Sequence, residues 1–153
     1  MLQRIQTVYL LLITVLMVVL LFLPLAIVQS GDQVFTFDVT GIRSMGEQSE
    51  LVYPFWGLFA LAAIISLLAL VTVFLYKKRI LQIRLCVFNA ILMVCFYGLF
   101  LFFWYDLKAA LEPVSLNVRL ALCFPLICLI LDYLAIRNIG ADEVLVRSLD
   151  RLR

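Results

Sequence analysis

Across 153 residues, hydrophobic side chains make up 66%, charged ones only 14%, and the mean hydropathy is +1.15. A water-soluble domain carries about 45–50% apolar and about 25% charged residues, so this composition excludes a chain that covers itself with water-compatible surface. The net charge of +2 is too small to point to nucleic acid, and the absence of histidine removes the commonest metal ligand and the commonest general base together.

The apolar residues come in four long blocks rather than periodic stripes, the distribution a lipid solvent selects. The expected fold class is therefore an all-α membrane protein: a four-helix transmembrane bundle forming one domain over residues 1–153. The first helix is predicted at about 5–28, its apolar run extending from Val8 to Val28 with Pro24 near its end. A signal peptide competes for this segment, but the run exceeds the roughly 7–15 residues of a signal h-region, which favours a retained helix. Residues 29–54 form the longest polar stretch, an external loop. Within it Val34 to Thr40 predicts a short strand, Thr40-Gly41 a turn, and Glu50 to Tyr53 a returning strand, together a β-hairpin-like element. Phe35 and Phe37 would share one face of it.

The second helix is predicted at 55–76 and stops at Lys77-Lys78-Arg79; the third covers 81–105. Their short connection makes them antiparallel neighbours. Tyr53, Phe55 and Trp56 open the second helix, and Phe100, Phe102, Phe103, Trp104 and Tyr105 close the third, an aromatic belt at one water boundary. A second external loop spans 106–117 and contains Pro113. The fourth helix, 118–137, carries Pro125, expected to kink it, and Asp132. The tail 138–153 predicts a cytoplasmic amphipathic helix, capped by Asp142, with Leu145, Leu149 and Leu152 at i, i+4 and i+7.

Four crossings put both termini on one side. That side holds Arg4, Lys77, Lys78, Arg79, Arg84, Arg137, Arg147, Arg151 and Arg153, against Arg43, Lys108 and Arg119 on the other. Basic flanks stay cytoplasmic, so both termini are expected there.

Asp132, Arg84 and Asn89 are the candidate intramembrane polar residues. A carboxylate in a membrane helix is a functional hypothesis by default, but an ion pair of Asp132 with Arg84 or Arg137 is the stronger expectation. For Asn89 an interhelical hydrogen bond is expected. Thr14, Ser66 and Thr72 can bond their own backbone carbonyls. Cys86, Cys95, Cys123 and Cys128 all fall in the third and fourth blocks without a C-x-x-C pair, which reads as packing in apolar surroundings rather than thiol exchange or metal binding. Gly57, Ala60, Ala62, Ala63, Ala69 and Gly98 would allow close helix approach. No catalytic, cofactor-binding or metal-binding constellation stands out, so no enzyme activity and no cofactor is expected.

Three stretches carry a resemblance: the start from Gln3-Arg4-Ile5-Gln6-Thr7 to Leu12, the basic turn from Tyr76 to Arg84, and the tail from Asp142 to Arg153 with its Arg147-Ser148-Leu149-Asp150-Arg151-Leu152-Arg153 end. Together they resemble an uncharacterised family of small bacterial four-span inner-membrane proteins, a domain of unknown function, over essentially the whole chain. The resemblance implies a bacterial inner membrane and four helices, and no activity. The expected role is a non-enzymatic accessory or assembly subunit of a membrane complex. Its partners would be the lipid bilayer and either a membrane protein or a second copy of the chain, with no nucleic acid. The alternative is a small proton-coupled transporter using Asp132.

Overall fold

The computed structural model describes residues 2–30, 33–45, 51–54, 56–75, 78–110 and 114–151. In chain order these form α1 (Leu2–Leu20), β1 (Ala26–Ser30), β2 (Gln33–Asp38), β3 (Gly41–Ser44), β4 (Leu51–Pro54), α2 (Trp56–Phe74), α3 (Arg79–Ala110), β5 (Val114–Val118), a 3-10 turn (Leu120–Cys123) and α4 (Phe124–Arg151). Of the residues used above, Glu50, Phe55, Tyr76, Lys77, Pro113, Leu152 and Arg153 lie outside the described residues.

Each helix packs against its sequence neighbours, and α4 returns to α1, which closes a ring of four. Among the described residues, three stretches are long and apolar enough to cross a membrane: Trp56–Phe74, Arg79–Ala109 and Leu120–Val146, while the apolar stretch Ile5–Leu20 of α1 is shorter.

Each helix presents a narrow buried stripe with alternating spacings of four and three. In α1 it is Gln6, Leu10, Ile13, Met17 and Leu20; in α2 it is Leu58, Ala62, Ile65, Ala69 and Thr72. In α3 it is Gln82, Cys86, Asn89, Met93, Phe96 and Phe100, and α4 continues with Cys128, Asp132, Ala135 and Ile139. A repeat of 3.5 residues keeps one seam facing its neighbours along the whole length of a bundle. Much of the remaining helix surface is apolar and exposed, as with Val8, Leu11, Val15, Val18 and Val19 on α1 and Ile64, Leu67 and Leu70 on α2.

The first correction concerns α1, which stops at Leu20 rather than continuing to residue 28. Pro24 cannot donate to a helix and pushes the residue before it out of the helical region. Beyond it the backbone turns extended, and Ala26, Val28 and the β-branched Ile27 enter a sheet. The expected hairpin is instead part of a five-stranded antiparallel sheet, order β4-β3-β2-β1-β5. A turn at Val39-Thr40, one residue before the expected Thr40-Gly41, leads β2 into β3, a strand not expected from the sequence, with Asp38 opposite Gly41. Gly41 has φ 148°, a conformation open to glycine and strained for other residues. β4 pairs with β3 and not with β2. The second expected loop supplies β5, which lies antiparallel to β1 with Val28 opposite Leu116. The two connections expected as separate loops thus share one sheet.

Phe35, Phe37, Val39 and Ile42 are buried against the helix ends, and the Phe37 ring meets Phe100 of α3 edge-on at 5.1 Å. Trp56, Phe102, Tyr105, Phe22 and Leu120 stay exposed around this end of the bundle, an aromatic and apolar collar.

Further differences follow from helix ends. α4 begins at Phe124, so Pro125 sits in its first turn, where its missing N–H costs nothing and no kink is required. The Tyr97 hydroxyl donates to the Leu122 carbonyl at 2.8 Å and ties α3 to the preceding 3-10 turn. At the other end, α4 runs unbroken to Arg151 and the tail is not a separate helix. Asp142 does not cap it but pairs with Arg79 of α3, at 3.7 Å to the carboxylate and 3.2 Å to the carbonyl. Leu145 is exposed.

In the sheet, Arg43 Nε lies 3.6 Å from Asp38 Oδ2, an ion pair longer than a hydrogen bond. Burial pushes the Asp38 carboxyl above the usual carboxylate range, and Arg43 offsets part of that rise. A raised folded-state value means that the favourable contribution of protonation is full below the ordinary value of 3.8 and is lost as pH rises through the folded one. The thermal stability of the sheet should therefore decline across that window. Asp38→Asn should flatten the profile; an unchanged slope in the variant would assign the pH dependence elsewhere.

Candidate functional site

The seam divides into two halves of different chemistry. Toward the sheet it holds Met17, Leu20, Leu58, Met93, Phe96 and Phe100. Toward the opposite end it holds Gln6, Thr72, Gln82, Cys86, Asn89, Cys128 and Asp132, all at most 6% exposed. α1 and α3 start at that end, and α2 and α4 finish there, so the antiparallel order alone places these residues in one half of the bundle. Contacts between helices fix the register. The Cys128 thiol donates to the Ile13 carbonyl at 3.9 Å, and Asp132, one turn beyond Cys128, faces the Cys86 thiol of α3.

Asp132 is the centre of this half. It is 0% exposed, and neither carboxylate oxygen gains a well-formed hydrogen bond. The Cys86 thiol beside it is a weak donor. The expected ion pair is not formed: Arg84 and Arg137 are both exposed on outward faces, and no cationic side chain among the described residues pairs with Asp132. Position explains this. Arg84 falls two residues before the seam position Cys86, and Arg137 two before Ile139, so both point away from the stripe.

Asn89 occupies the seam as well, buried to 1%, but its amide nitrogen and oxygen are both without partners, as is the amide nitrogen of Gln6. The expected interhelical hydrogen bond of Asn89 is therefore not made. Small hydroxyls behave as read from the sequence. Thr14 donates to the Leu10 carbonyl at 2.9 Å, Ser66 to Ala63 at 2.8 Å and Thr72 to Leu68 at 2.6 Å. Gln6 and Gln82 were not singled out from the sequence. Their signal is the 3.5-residue repeat, which puts a glutamine at each end-most seam position of α1 and α3.

The cysteines split. Cys86 and Cys128 lie on the seam and are buried, whereas Cys95 and Cys123 fall off it and are exposed, contrary to the expectation of uniform burial. Close helix approach also comes from fewer residues than expected. Ala62 and Ala69 are buried on the seam, but a β-carbon on Gly57 or Gly98 would meet nothing within 4 Å. Among the described residues, no group of three or more His, Cys, Asp or Glu is placed to hold a metal ion.

Chemically, the site is a carboxyl, two thiols, three carboxamide side chains and a hydroxyl enclosed by apolar helices. A carboxyl so placed can take up or release a proton, and its cost in a closed interior is the cost of unmet hydrogen-bonding capacity.

A family model described as Domain of unknown function (DUF4293) matches residues 2–152. The chain belongs to this family. The match covers nearly every residue of the DUF4293 chain, including the whole seam and all five strands. The comparison with curated proteins finds no match. The family description carries no activity, so the polar half of the seam is read from its own geometry.

Proposed function

We propose that this DUF4293 chain is a multi-pass protein of the bacterial inner membrane, with four crossings, both termini cytoplasmic and the sheet outside, acting as a non-enzymatic accessory or assembly subunit of a membrane complex. The observation that carries the membrane reading is the outward surface of all four helices, α1 included. At about 1.5 Å per residue the apolar stretch Ile5–Leu20 of α1 spans about 24 Å, shorter than the roughly 30 Å of a hydrocarbon core, and the four-crossing reading takes it as a crossing on the strength of its outward face. Its exposed face is Ile5, Val8, Leu11, Leu12, Val15, Val18 and Val19, a surface for lipid and not for water. The charge asymmetry supports the orientation: Lys78, Arg79, Arg84 and Arg137 lie toward the end away from the sheet, and Arg43, Lys108 and Arg119 toward the sheet. A bacterial origin rests on the resemblance described above.

The subunit role is supported by what the outer end offers: two sheet edges, β4 and β5, and the collar of exposed Trp56, Tyr105, Phe22 and Leu120. Gentle extraction from native membranes should recover a stoichiometric membrane-protein partner, whereas recovery of the chain alone would remove that role. A reporter fused after Arg153 should be active only in the cytoplasm; activity outside would overturn the four-crossing orientation.

A second reading, a small proton-coupled transporter, is favoured by one observation, the sealed and unpaired Asp132. It stands second because the end of the seam nearest the sheet is apolar, with Met17, Leu20, Met93, Phe96 and Phe100. In vesicles, Asp132→Asn should abolish proton-coupled flux if this reading holds.

A further inference from the structure

At the end of the bundle away from the sheet, the turn before α3 and the last turns of α4 enclose an open groove of about 650 Å³ lined by Lys78, Arg79, Ile80, Leu81, Arg84, Glu143 and Val146. Its three cations differ in what they do. Arg79 is committed to Asp142 across the groove floor and fixes α4 against α3. Lys78 and Arg84 are exposed and have no ion pair among the described residues.

Arg84 is the informative one. It sits five residues into α3, about 7.5 Å along the axis from Arg79. Its neighbours on the same helix face, Ile80, Leu81, Val87 and Phe88, are all apolar and 40–50% exposed. A guanidinium is thus set into an outward surface that otherwise suits acyl chains, below the level of the basic turn. In water such an Arg needs no partner, but against lipid an unpaired cation is costly unless it reaches an anion at the headgroup level. Lys78 approaches the same groove from above, and Ile80, Leu81 and Val146 give it an apolar wall. Glu143 of α4 also lines the groove.

We propose that the groove formed by Lys78, Arg84 and the apolar wall of Ile80, Leu81 and Val146 binds an anionic phospholipid, its phosphate between the two cations and its acyl chains along Val87 and Phe88. The proposal rests on the membrane-spanning reading. A guanidinium forms two parallel bonds to a phosphate, and the adjoining apolar strip is what separates a lipid from a free anion.

The test uses the full chain in neutral detergent, titrated by native mass spectrometry with short-chain phosphatidylglycerol, short-chain phosphatidylcholine and inorganic phosphate in separate arms. Phosphatidylglycerol should bind at one site about tenfold more tightly than phosphatidylcholine, and inorganic phosphate more weakly than either. Arg84→Gln should lower phosphatidylglycerol affinity about five- to tenfold and Lys78→Gln by less, while Arg137→Gln, at an exposed cation outside the groove, should leave it unchanged. Circular dichroism of each variant confirms that the helices are intact. Equal binding of the two lipids, or no loss in the Arg84→Gln, Lys78→Gln double variant, overturns the proposal. So does inorganic phosphate binding as tightly as phosphatidylglycerol, which would make the groove a free-anion site. A chain that leaves native membranes only with detergent yet shows no lipid preference loses the groove and keeps the membrane reading; a chain released without detergent loses both.

Discussion

Asp132→Ala is expected to raise the stability of the detergent-solubilised protein by about 1–3 kcal/mol, the range set by a buried polar group without hydrogen-bond partners. Few substitutions in a packed helix interior stabilise, so the sign is diagnostic. The carboxyl is 0% exposed and has beside it only the weak Cys86 donor, so its removal relieves more unmet desolvation than the contact it loses. Alanine also favours the helix and leaves only a small void beside Cys86 and Cys128. Asp132→Asn should gain less, because it keeps a polar group of the same shape in the same place. Chemical denaturation in mild detergent measures both. A loss of more than about 1 kcal/mol in the alanine variant would mean that the carboxyl has a partner in the folded protein, and would return Asp132 to a structural role. A gain in stability together with lost function in the native membrane would instead mark the residue as one retained at the expense of stability.

The second large effect lies at the joint between sheet and bundle. Phe37 is fully buried and packs edge-on against Phe100 at 5.1 Å, a contact linking β2 to α3 across many residues of chain. Phe37→Ala should cost about 3–5 kcal/mol, as expected for deleting a buried ring that its surroundings cannot replace. Because the deletion empties the space under the sheet, proteolysis in the β2–β3 turn around Val39-Thr40 should accelerate before the helices are lost. Phe102→Ala provides the comparison. That ring is 64% exposed and should change stability by no more than about 0.5 kcal/mol in detergent. Equal effects of the two substitutions would show that the sheet does not depend on the joint.

The four helices were legible because long apolar runs and basic punctuation carry a strong signal. The turn at Lys78 and the antiparallel pairing of α2 with α3 follow from it directly. The end of α1 was not legible. Leu21, Phe22, Leu23, Leu25, Ile27 and Val28 are as apolar as the residues before them, and an apolar run alone cannot distinguish a buried strand from a helix. Pro24 was the available clue, and in a membrane helix it reads as a kink. β5 was hidden for another reason: Val114, Ser115, Leu116, Asn117 and Val118 alternate, but their partner β1 is far away in sequence. The candidate site was half legible. Asp132 and Asn89 stand out by residue type, whereas their burial without Arg84 or Arg137 depends on which side of the 3.5-residue stripe each falls, and a shift of two positions decides it. The same stripe, once seen, brings in Gln6 and Gln82.

The place of β1 inside the sheet, between β2 and β5, has a consequence for how the chain is made. β1 leaves α1 near the start of synthesis, yet one of its two neighbours is β5, which follows α3. Until residue 118 has been synthesised, β1 has one ladder unmade and one edge open to pairing with another chain. The sheet is thus a late-closing clasp. It can shut only when α1 and α3 have brought their ends to the same side, so an intermediate with a helix missing or inverted keeps an exposed strand and is open to aggregation and degradation. Nascent chains arrested before Val114 should accordingly be more protease-sensitive at β1 than chains arrested after α4.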